Sequence, residues 1–187
     1  CGMEDTHVVQ FWADGAVHLP SVLDQSVIKL LEEGVEKSKE QQSEYGETLQ
    51  HDGDTGSFFN DYFQWRDIPE YKKVIEESQL ASMAAALMKS QKACFYHDHT
   101  LVKEAGVTTG TPWHHDQAYY PVEGKQLVSF WIPLDHVQRN SSLQFVKGSH
   151  AWGKKFIPRK FEDQRHYGTR KDSLDATFPG QPNPSLD

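Results

Sequence analysis

The most informative segment of this chain reads Thr111-Pro112-Trp113-His114-His115-Asp116-Gln117-Ala118-Tyr119-Tyr120. Within it, His114 and Asp116 form the only His-x-Asp sequence among the 187 residues. In extended backbone at the end of a strand, residues i and i+2 point to the same side. The imidazole and the carboxylate can therefore face one metal ion. His115, between them, is expected to point away, with a packing role or a contact behind the ligands.

Two imidazoles and one carboxylate on one face of a metal ion are typical of non-haem Fe(II) oxygenases, because the opposite face stays open to cosubstrate and O₂. The tripeptide alone is weak support for such a site. A chain with ten histidines and fourteen aspartates contains about 0.7 His-x-Asp sequences by chance. Taken alone, the segment is equally well interpreted as a surface turn.

Length and charge exclude several classes of protein. A chain of 187 residues and 21.4 kDa suits one domain with a sizeable core. The net charge of −8 argues against nucleic-acid binding, which needs a concentrated positive surface, and against docking on anionic lipid. No apolar run approaches the roughly 20 residues that a membrane-spanning helix needs. We therefore expect neither nucleic acid nor a membrane as a partner.

Location and assembly follow from the absence of specific signals. No basic segment followed by an apolar one opens the chain, so a cytoplasmic protein is the default expectation. The two cysteines, Cys1 and Cys94, form no disulfide framework or metal-binding spacing. Cys94 lies in an apolar run, which favours a buried and inert thiol. No coiled-coil heptad pattern is present, which favours a monomer.

The first half of the sequence predicts helices and the second half predicts strands. Apolar spacings of three and four predict a helix from Ser21 to about Gln42, with Ser21 as its N-cap. A second helical region runs from Pro69 to about Ser90, with a break near Ser78, and its Met and Leu stripe predicts core packing. Residues 43–57 are polar and punctuated by glycine, which predicts a loop. Runs rich in aromatic and β-branched residues predict strands over 16–19, 94–103, 127–134 and 143–146.

Several motifs in this order resemble those of the phytanoyl-CoA dioxygenase family. The resemblance runs from about residue 8 to the end and rests chiefly on Phe11–Gly15, Phe95–Lys103, Trp113–Tyr120, Phe130–Asp135 and Leu143–His150. Members of this family are Fe(II)- and 2-oxoglutarate-dependent oxygenases. The resemblance implies an α+β, mostly β fold: a double-stranded β-helix (jelly-roll, cupin-like) core with N-terminal helices packed on it. The order of helices before strands agrees with that fold class.

The resemblance also implies roles for individual residues. His114 and Asp116 match the first two iron ligands of the family. Lys103 and Trp131 fall where the family lines its 2-oxoglutarate pocket. A solvated lysine at a strand end is an equally open interpretation of Lys103, and core packing is the favoured alternative for Trp131.

Three further histidines are expected to have other roles. His97 and His99 share a strand face with Lys103, where satisfied polar contacts are favoured over a role in the pocket. Gly148-Ser149-His150 is a family hallmark in which the histidine is not an iron ligand, and we expect a structural turn there.

The third iron ligand and the arginine that binds the 2-oxoglutarate carboxylate are expected beyond Asp187, well downstream of Gly148. His166 is the alternative third ligand within this chain, although its charged surroundings predict an exposed loop. The chain opens without methionine and closes on a proline-rich stretch. We therefore interpret residues 1–187 as one oxygenase domain truncated at its C-terminus, with truncation at the N-terminus left open.

The resulting hypothesis is a dioxygenase that uses Fe(II), 2-oxoglutarate and O₂ to hydroxylate an unactivated C–H bond of a small organic substrate. Asp116 occupies the position that carbon halogenases of this fold leave vacant for chloride, which favours hydroxylation over halogenation. The acidic net charge gives no support to an acyl-CoA substrate. Two alternatives stay open: a non-catalytic β-helix binding domain with an incomplete iron site, and a cupin-like metal enzyme of another reaction type.

Overall fold

A computed structural model describes residues 3–108 and 110–156 of the chain. The described residues fall into two compact units. The larger comprises the residues up to Val107 together with Gln126–Ala151, and the smaller comprises Thr108–Lys125 together with the residues from Trp152 onward. Each unit is thus built from two separate stretches of chain.

Four helices belong to the larger unit: α1 (Asp5–Asp14), α2 (Gln25–Glu40), α3 (Pro69–Glu77) and α4 (Leu80–Leu87). The helix predicted after Pro20 is confirmed as α2, but its N-cap is Asp24 rather than Ser21. Ser21 has a left-handed φ of 55° and lies before the helix. The break predicted near Ser78 is confirmed, since Ser78 is extended and separates α3 from α4. Helix α1 was not predicted.

The larger unit also contains a three-stranded antiparallel sheet. Its strands are β1 (Glu47–Leu49), β2 (Phe58–Tyr62) and β3 (His99–Lys103), in the order β1-β2-β3. Asn60 in the central strand pairs with Glu47 on one side and with Leu101 on the other. Strand β3 confirms the second half of the predicted strand over 94–103, whereas β1 lies inside the segment 43–57, where a loop was predicted.

The core of this unit lies where the helices meet the sheet. Its buried apolar residues come from strand β2, from helices α3 and α4 and from Ile68, which precedes α3: Phe59, Ile68, Tyr71, Val74, Met83, Ala84 and Leu87. The prediction that the Met and Leu stripe packs in the core is therefore confirmed at Met83 and Leu87. Helix α2 approaches α3 closely at Gly34, since a Cβ there would collide with the ring of Tyr71.

Two aspartates, one fully buried and one partly buried, fix the loops around the sheet. Asp61 in β2 is completely buried and accepts hydrogen bonds from the backbone N–H and the hydroxyl of Ser43. Asp98, just before β3, accepts hydrogen bonds from the backbone N–H groups of Gln64 (3.1 Å) and Trp65 (3.0 Å). Burial raises the pKa of Asp98 above its usual value, and these two hydrogen bonds oppose the rise.

The Gly-Ser-His motif forms the structural turn that was predicted. Gly148 has a left-handed φ of 73°, and a short 3₁₀ turn follows over Ser149–Ala151. The backbone N–H of Gly148 donates to the carbonyl of Asp14 at 2.9 Å. The Nε2 atom of His150 lies 3.0 Å from the carbonyl oxygen of Trp12. This turn therefore caps the end of α1.

Three predicted strands are wrong, because residues 16–19, 127–134 and 143–146 form no strand in the structure. Aromatic and β-branched residues favour extended backbone, but a strand also needs a neighbouring strand to satisfy its N–H and C=O groups. The α+β class is confirmed by the four helices and the sheet. The double-stranded β-helix stays a prediction.

Two further features concern the surface of the described residues. The thiol of Cys94 is free and exposed, so the prediction that it is buried is wrong. Among the residues that the structure describes, no helix combines the length and apolar character needed to cross a membrane.

Candidate functional site

The predicted ligand pair His114 and Asp116 lies in the smaller unit. His115 has extended backbone (φ −122°, ψ 138°), and a short 3₁₀ helix begins at Asp116 and ends at Tyr119. Because the intervening residue is extended, the side chains on either side of it point the same way. The Nε2 atom of His114 lies 3.4 Å from the Oδ1 atom of Asp116. The i, i+2 geometry expected from the sequence is therefore present without a regular strand.

The backbone before the pair selects the tautomer of His114. The Nδ1 atom of His114 lies 2.8 Å from the carbonyl oxygen of Pro112. A carbonyl oxygen only accepts, so Nδ1 carries the proton and Nε2 is the atom that faces Asp116. Metal-binding histidines commonly make such a hydrogen bond through the nitrogen that does not bind the metal. The ring of Tyr119 meets the His114 ring edge to face, with centroids 5.7 Å apart.

The electrostatics of the pair follow from this contact. When His114 is protonated, its Nε2–H donates to the Asp116 carboxylate. This hydrogen bond raises the pKa of His114 above its usual value, and burial opposes the rise. A carboxylate that stabilises a positive imidazolium stabilises a divalent cation in the same place for the same reason. Asp116 thus places one carboxylate beside the imidazole nitrogen that would bind a metal ion.

His115 points elsewhere, as predicted. Its Nε2 atom accepts a hydrogen bond of 3.0 Å from the backbone N–H of Phe156. The two rings meet edge to face with centroids 5.9 Å apart. Burial lowers the pKa of His115 below its usual value, which is consistent with a neutral ring whose Nε2 atom accepts.

Gln117 is a further residue of the segment that the sequence analysis did not single out. Its side-chain NH₂ donates to the carbonyl oxygens of Val122 (3.3 Å) and Gly124 (3.1 Å). The same loop is tied to a second stretch of the unit by an ion pair between Lys155 and Glu123. Nothing in the sequence pattern indicates these contacts, because a glutamine near a turn is compatible with full exposure.

The donor atoms of the pair fit one metal ion. Imidazole nitrogen and carboxylate oxygen atoms bind divalent metals at about 2.1 Å, which places neighbouring ligand atoms about 3 to 3.5 Å apart. The observed 3.4 Å between Nε2 and Oδ1 lies in that range. Within the described residues, no group of three His, Cys, Asp or Glu side chains could hold a metal ion. His166, the alternative third ligand, lies outside the described residues.

The two residues expected to bind cosubstrate belong to the larger unit. Lys103 ends strand β3, and its Nζ atom lies 5.3 Å from the centre of the Phe58 ring. Burial lowers the pKa of Lys103, and the charge of Asp54 opposes this. Trp131 is 47% exposed, so the alternative of core packing is wrong for this residue. A role for Lys103 and Trp131 in a 2-oxoglutarate pocket stays a prediction.

His97 and His99 make aromatic contacts, and the satisfied polar contacts that were favoured for them stay a prediction. The ring of His99 stacks on Tyr62 with centroids 3.8 Å apart. His97 lies 5.2 Å from the ring of Phe63 and meets Tyr96 edge to face at 4.7 Å. These contacts fix the start of β3 on the sheet.

Comparison with known protein families decides the relationship that the motifs suggested. The profile described as phytanoyl-CoA dioxygenase (PhyH) matches residues 11–182. The chain belongs to the phytanoyl-CoA dioxygenase family. No curated protein and no solved structure matches it. The phytanoyl-CoA dioxygenase match covers the motif segment, the turn at Gly148 and both units of the described structure.

Membership in the phytanoyl-CoA dioxygenase family places the chain among oxygenase-type enzymes that generally depend on Fe(II) and 2-oxoglutarate. The donor set of His114 and Asp116 agrees with such a metal, since imidazole and carboxylate together suit non-haem iron.

Proposed function

We propose that this protein is a dioxygenase that binds Fe(II) through the Nε2 atom of His114 and the carboxylate of Asp116. The observation that carries the proposal is the distance of 3.4 Å between the Nε2 atom of His114 and the Oδ1 atom of Asp116. The Nδ1 atom of His114 is hydrogen-bonded to the Pro112 carbonyl. A second imidazole would complete the facial arrangement. We expect it in the part of the protein that follows the described residues.

The protein's own residues perform binding and orientation. Because the Nδ1–H of His114 donates to the Pro112 carbonyl, the proton that a metal ion must displace is the one on Nε2, and its loss leaves Nε2 with a lone pair for the metal. Asp116 adds a negative charge that offsets part of the charge of the metal. When bound with 2-oxoglutarate, Fe(II) supplies the oxidation of an unactivated C–H bond by O₂, and that chemistry belongs to the metal and its cosubstrate.

The identity of Asp116 favours hydroxylation over halogenation. A carboxylate at this position occupies one place in the coordination sphere, so that place is closed to a halide ion. We propose a small organic substrate, with Lys103 and Trp131 at the cosubstrate pocket and a double-stranded β-helix as the scaffold. We also propose that the protein is a cytoplasmic monomer that binds neither nucleic acid nor membrane.

The proposal is tested by the turnover of 2-oxoglutarate. Purified full-length protein is supplied with Fe(II), 2-oxoglutarate and O₂, and the release of succinate is followed by NMR. We expect slow oxidation of 2-oxoglutarate even without the substrate, so the substrate need not be known. We expect succinate release from the parent, and loss of nearly all of it in His114→Ala and in Asp116→Ala.

The matched control is His136→Ala, which removes an exposed histidine of the larger unit. It is expected to release succinate as the parent does. An Asp116→Ala protein that still binds iron and turns over 2-oxoglutarate as well as the parent contradicts the ligand assignment. A parent protein that releases no succinate in the presence of iron supports the alternative of a non-catalytic binding domain.

A further inference from the structure

The segment His114-His115-Asp116-Gln117 alternates between two kinds of contact. His114 and Asp116 converge on each other, whereas His115 and Gln117 bind the backbone of other parts of the same unit. We propose that His115 is a positioning residue, whose Nε2 atom holds the ligand pair in place through its hydrogen bond to the backbone of Phe156. This inference rests on the proposed function, in which the pair binds iron.

His115 lies between the two ligands, so its backbone conformation sets the distance between the Nε2 atom of His114 and the Oδ1 atom of Asp116. Its φ and ψ angles of −122° and 138° set the direction of the side chains on either side of it. A modest rotation about these bonds would turn His114 and Asp116 apart. The broad β region of backbone conformation permits such rotation, so something other than local preference must limit it.

The contact with Phe156 supplies that limit. The hydrogen bond of 3.0 Å joins residues that are 41 positions apart in the sequence. The Phe156 ring lies against His115 at 5.9 Å, and Trp152 in turn lies against Phe156 at 6.3 Å, both in edge-to-face arrangements. A polar contact and an aromatic contact thus hold the same imidazole ring in one orientation.

Two variants of His115 test this role, because their side-chain acceptor atoms lie at different distances from the backbone. In His115→Gln, the side-chain oxygen is three bonds from Cβ, as is Nε2 in histidine, and it can accept from Phe156. In His115→Asn, the side-chain oxygen is one bond nearer to the backbone and falls short. The two variants are both polar and differ by one methylene group, so their comparison isolates the hydrogen bond.

The test is an anaerobic titration with Co(II), which serves as a spectroscopic probe for Fe(II), followed by its visible absorption. Loss of a contact that orients a metal ligand weakens metal binding by about 10- to 100-fold. We expect a weakening of that order in His115→Asn and recovery of most of the affinity in His115→Gln. The control His136→Asn is expected to bind Co(II) as the parent does. Thermal unfolding of each metal-free variant checks that it is folded.

The outcomes separate this inference from the proposed function. A parent that binds Co(II) and a folded His115→Asn that binds it equally tightly overturn the role of His115 alone. The role of His115 is also overturned if His115→Gln binds Co(II) as weakly as His115→Asn does. If His115→Asn does not fold, His115→Leu replaces it in the comparison with His115→Gln. A parent that binds no Co(II) overturns the proposed function and this role together.

Discussion

Tyr71 shows at the scale of one residue how burial and a hydrogen bond act on the same side chain. It is 5% exposed and lies between helix α2 and the sheet. Its hydroxyl is 2.7 Å from the hydroxyl of Thr100 in β3. Burial raises the pKa of Tyr71 to about 12, because an ionised phenol would lose its hydration there.

The pKa of Tyr71 predicts a loss of stability in alkali. The folded-state pKa of about 12 exceeds the ordinary tyrosine pKa of about 10, so the phenol of the unfolded state releases its proton first as the pH rises. The stability contributed by Tyr71 is therefore complete below pH 10 and is lost between pH 10 and 12. At 1.36 kcal/mol for each pKa unit, the loss is about 3 kcal/mol. Urea unfolding at a series of pH values measures it.

Two phenylalanine variants serve as controls for this prediction. Tyr71→Phe is expected to cost about 1 kcal/mol at neutral pH through the lost hydrogen bond, and to remove the alkaline loss assigned to Tyr71. Tyr45→Phe changes a tyrosine that is 51% exposed and is expected to leave that loss in place. If Tyr71→Phe retains the full alkaline loss, the phenol is not the group responsible.

Single residues differ in how far the sequence reveals them. The orientation of His114, His115 and Asp116 could be predicted, because it needs only extended backbone at one position. The exposure of Cys94 and Trp131 could not be. Slightly more than half of a protein surface is apolar, so an apolar residue in an apolar run is not thereby buried.

At the scale of elements, the contact between α1 and the turn at Gly148 joins the two ends of the larger unit. Gly15 ends α1 with a left-handed φ of 84°. A Cβ on Gly15 would collide with the ring of His150. The side chain of Lys147 adds an ion pair with Asp14 at 3.1 Å. Position 15 therefore requires glycine for two reasons. The left-handed backbone disfavours any other residue, and the His150 ring leaves no room for a Cβ atom.

This contact predicts a double-mutant cycle. Gly15→Ala is expected to destabilise the protein by about 2 to 4 kcal/mol, from the left-handed backbone and from the collision together. In a His150→Ala background the collision is absent, so the same substitution should cost only the backbone part of about 1 to 2 kcal/mol. Urea unfolding of the four proteins gives both values.

Gly148→Ala is the matched control for the cycle. Gly148 also has a left-handed φ, of 73°, but nothing lies within 4 Å of the position that its Cβ would take. Its cost is expected to equal the backbone part alone, about 1 to 2 kcal/mol. Equal costs of Gly15→Ala with and without His150 would contradict the packing of the ring on Gly15.

Elements were predictable from the sequence where local pattern decides them. Helix α2 and the pair α3 and α4 follow from apolar spacing and from Pro69 at the start of α3. Strand β2 was missed because its residues do not alternate between apolar and polar, and its central three are all buried. The strands predicted over 127–134 and 143–146 failed because pairing with distant strands, rather than local preference, decides such segments.

At the scale of the whole molecule, each of the two units combines stretches that are far apart in the sequence. The motif segment meets Phe156 and the chain start meets His150 through such long-range contacts. The sequence shows which functional groups these residues carry, but it does not show which distant residues they contact. Family membership over residues 11–182 therefore adds information that the sequence pattern alone does not contain. It assigns a class of reaction to the pair His114 and Asp116.

The central claim is that His114 and Asp116 bind an iron ion to which 2-oxoglutarate also binds, and anaerobic absorption spectroscopy tests it most directly. Fe(II) and 2-oxoglutarate are added separately and then together, to the parent protein and to Asp116→Ala. We predict a weak metal-to-ligand charge-transfer band in the visible only for the parent with both components present. A parent spectrum that is the same with and without 2-oxoglutarate, or a band that persists in Asp116→Ala, would contradict the claim.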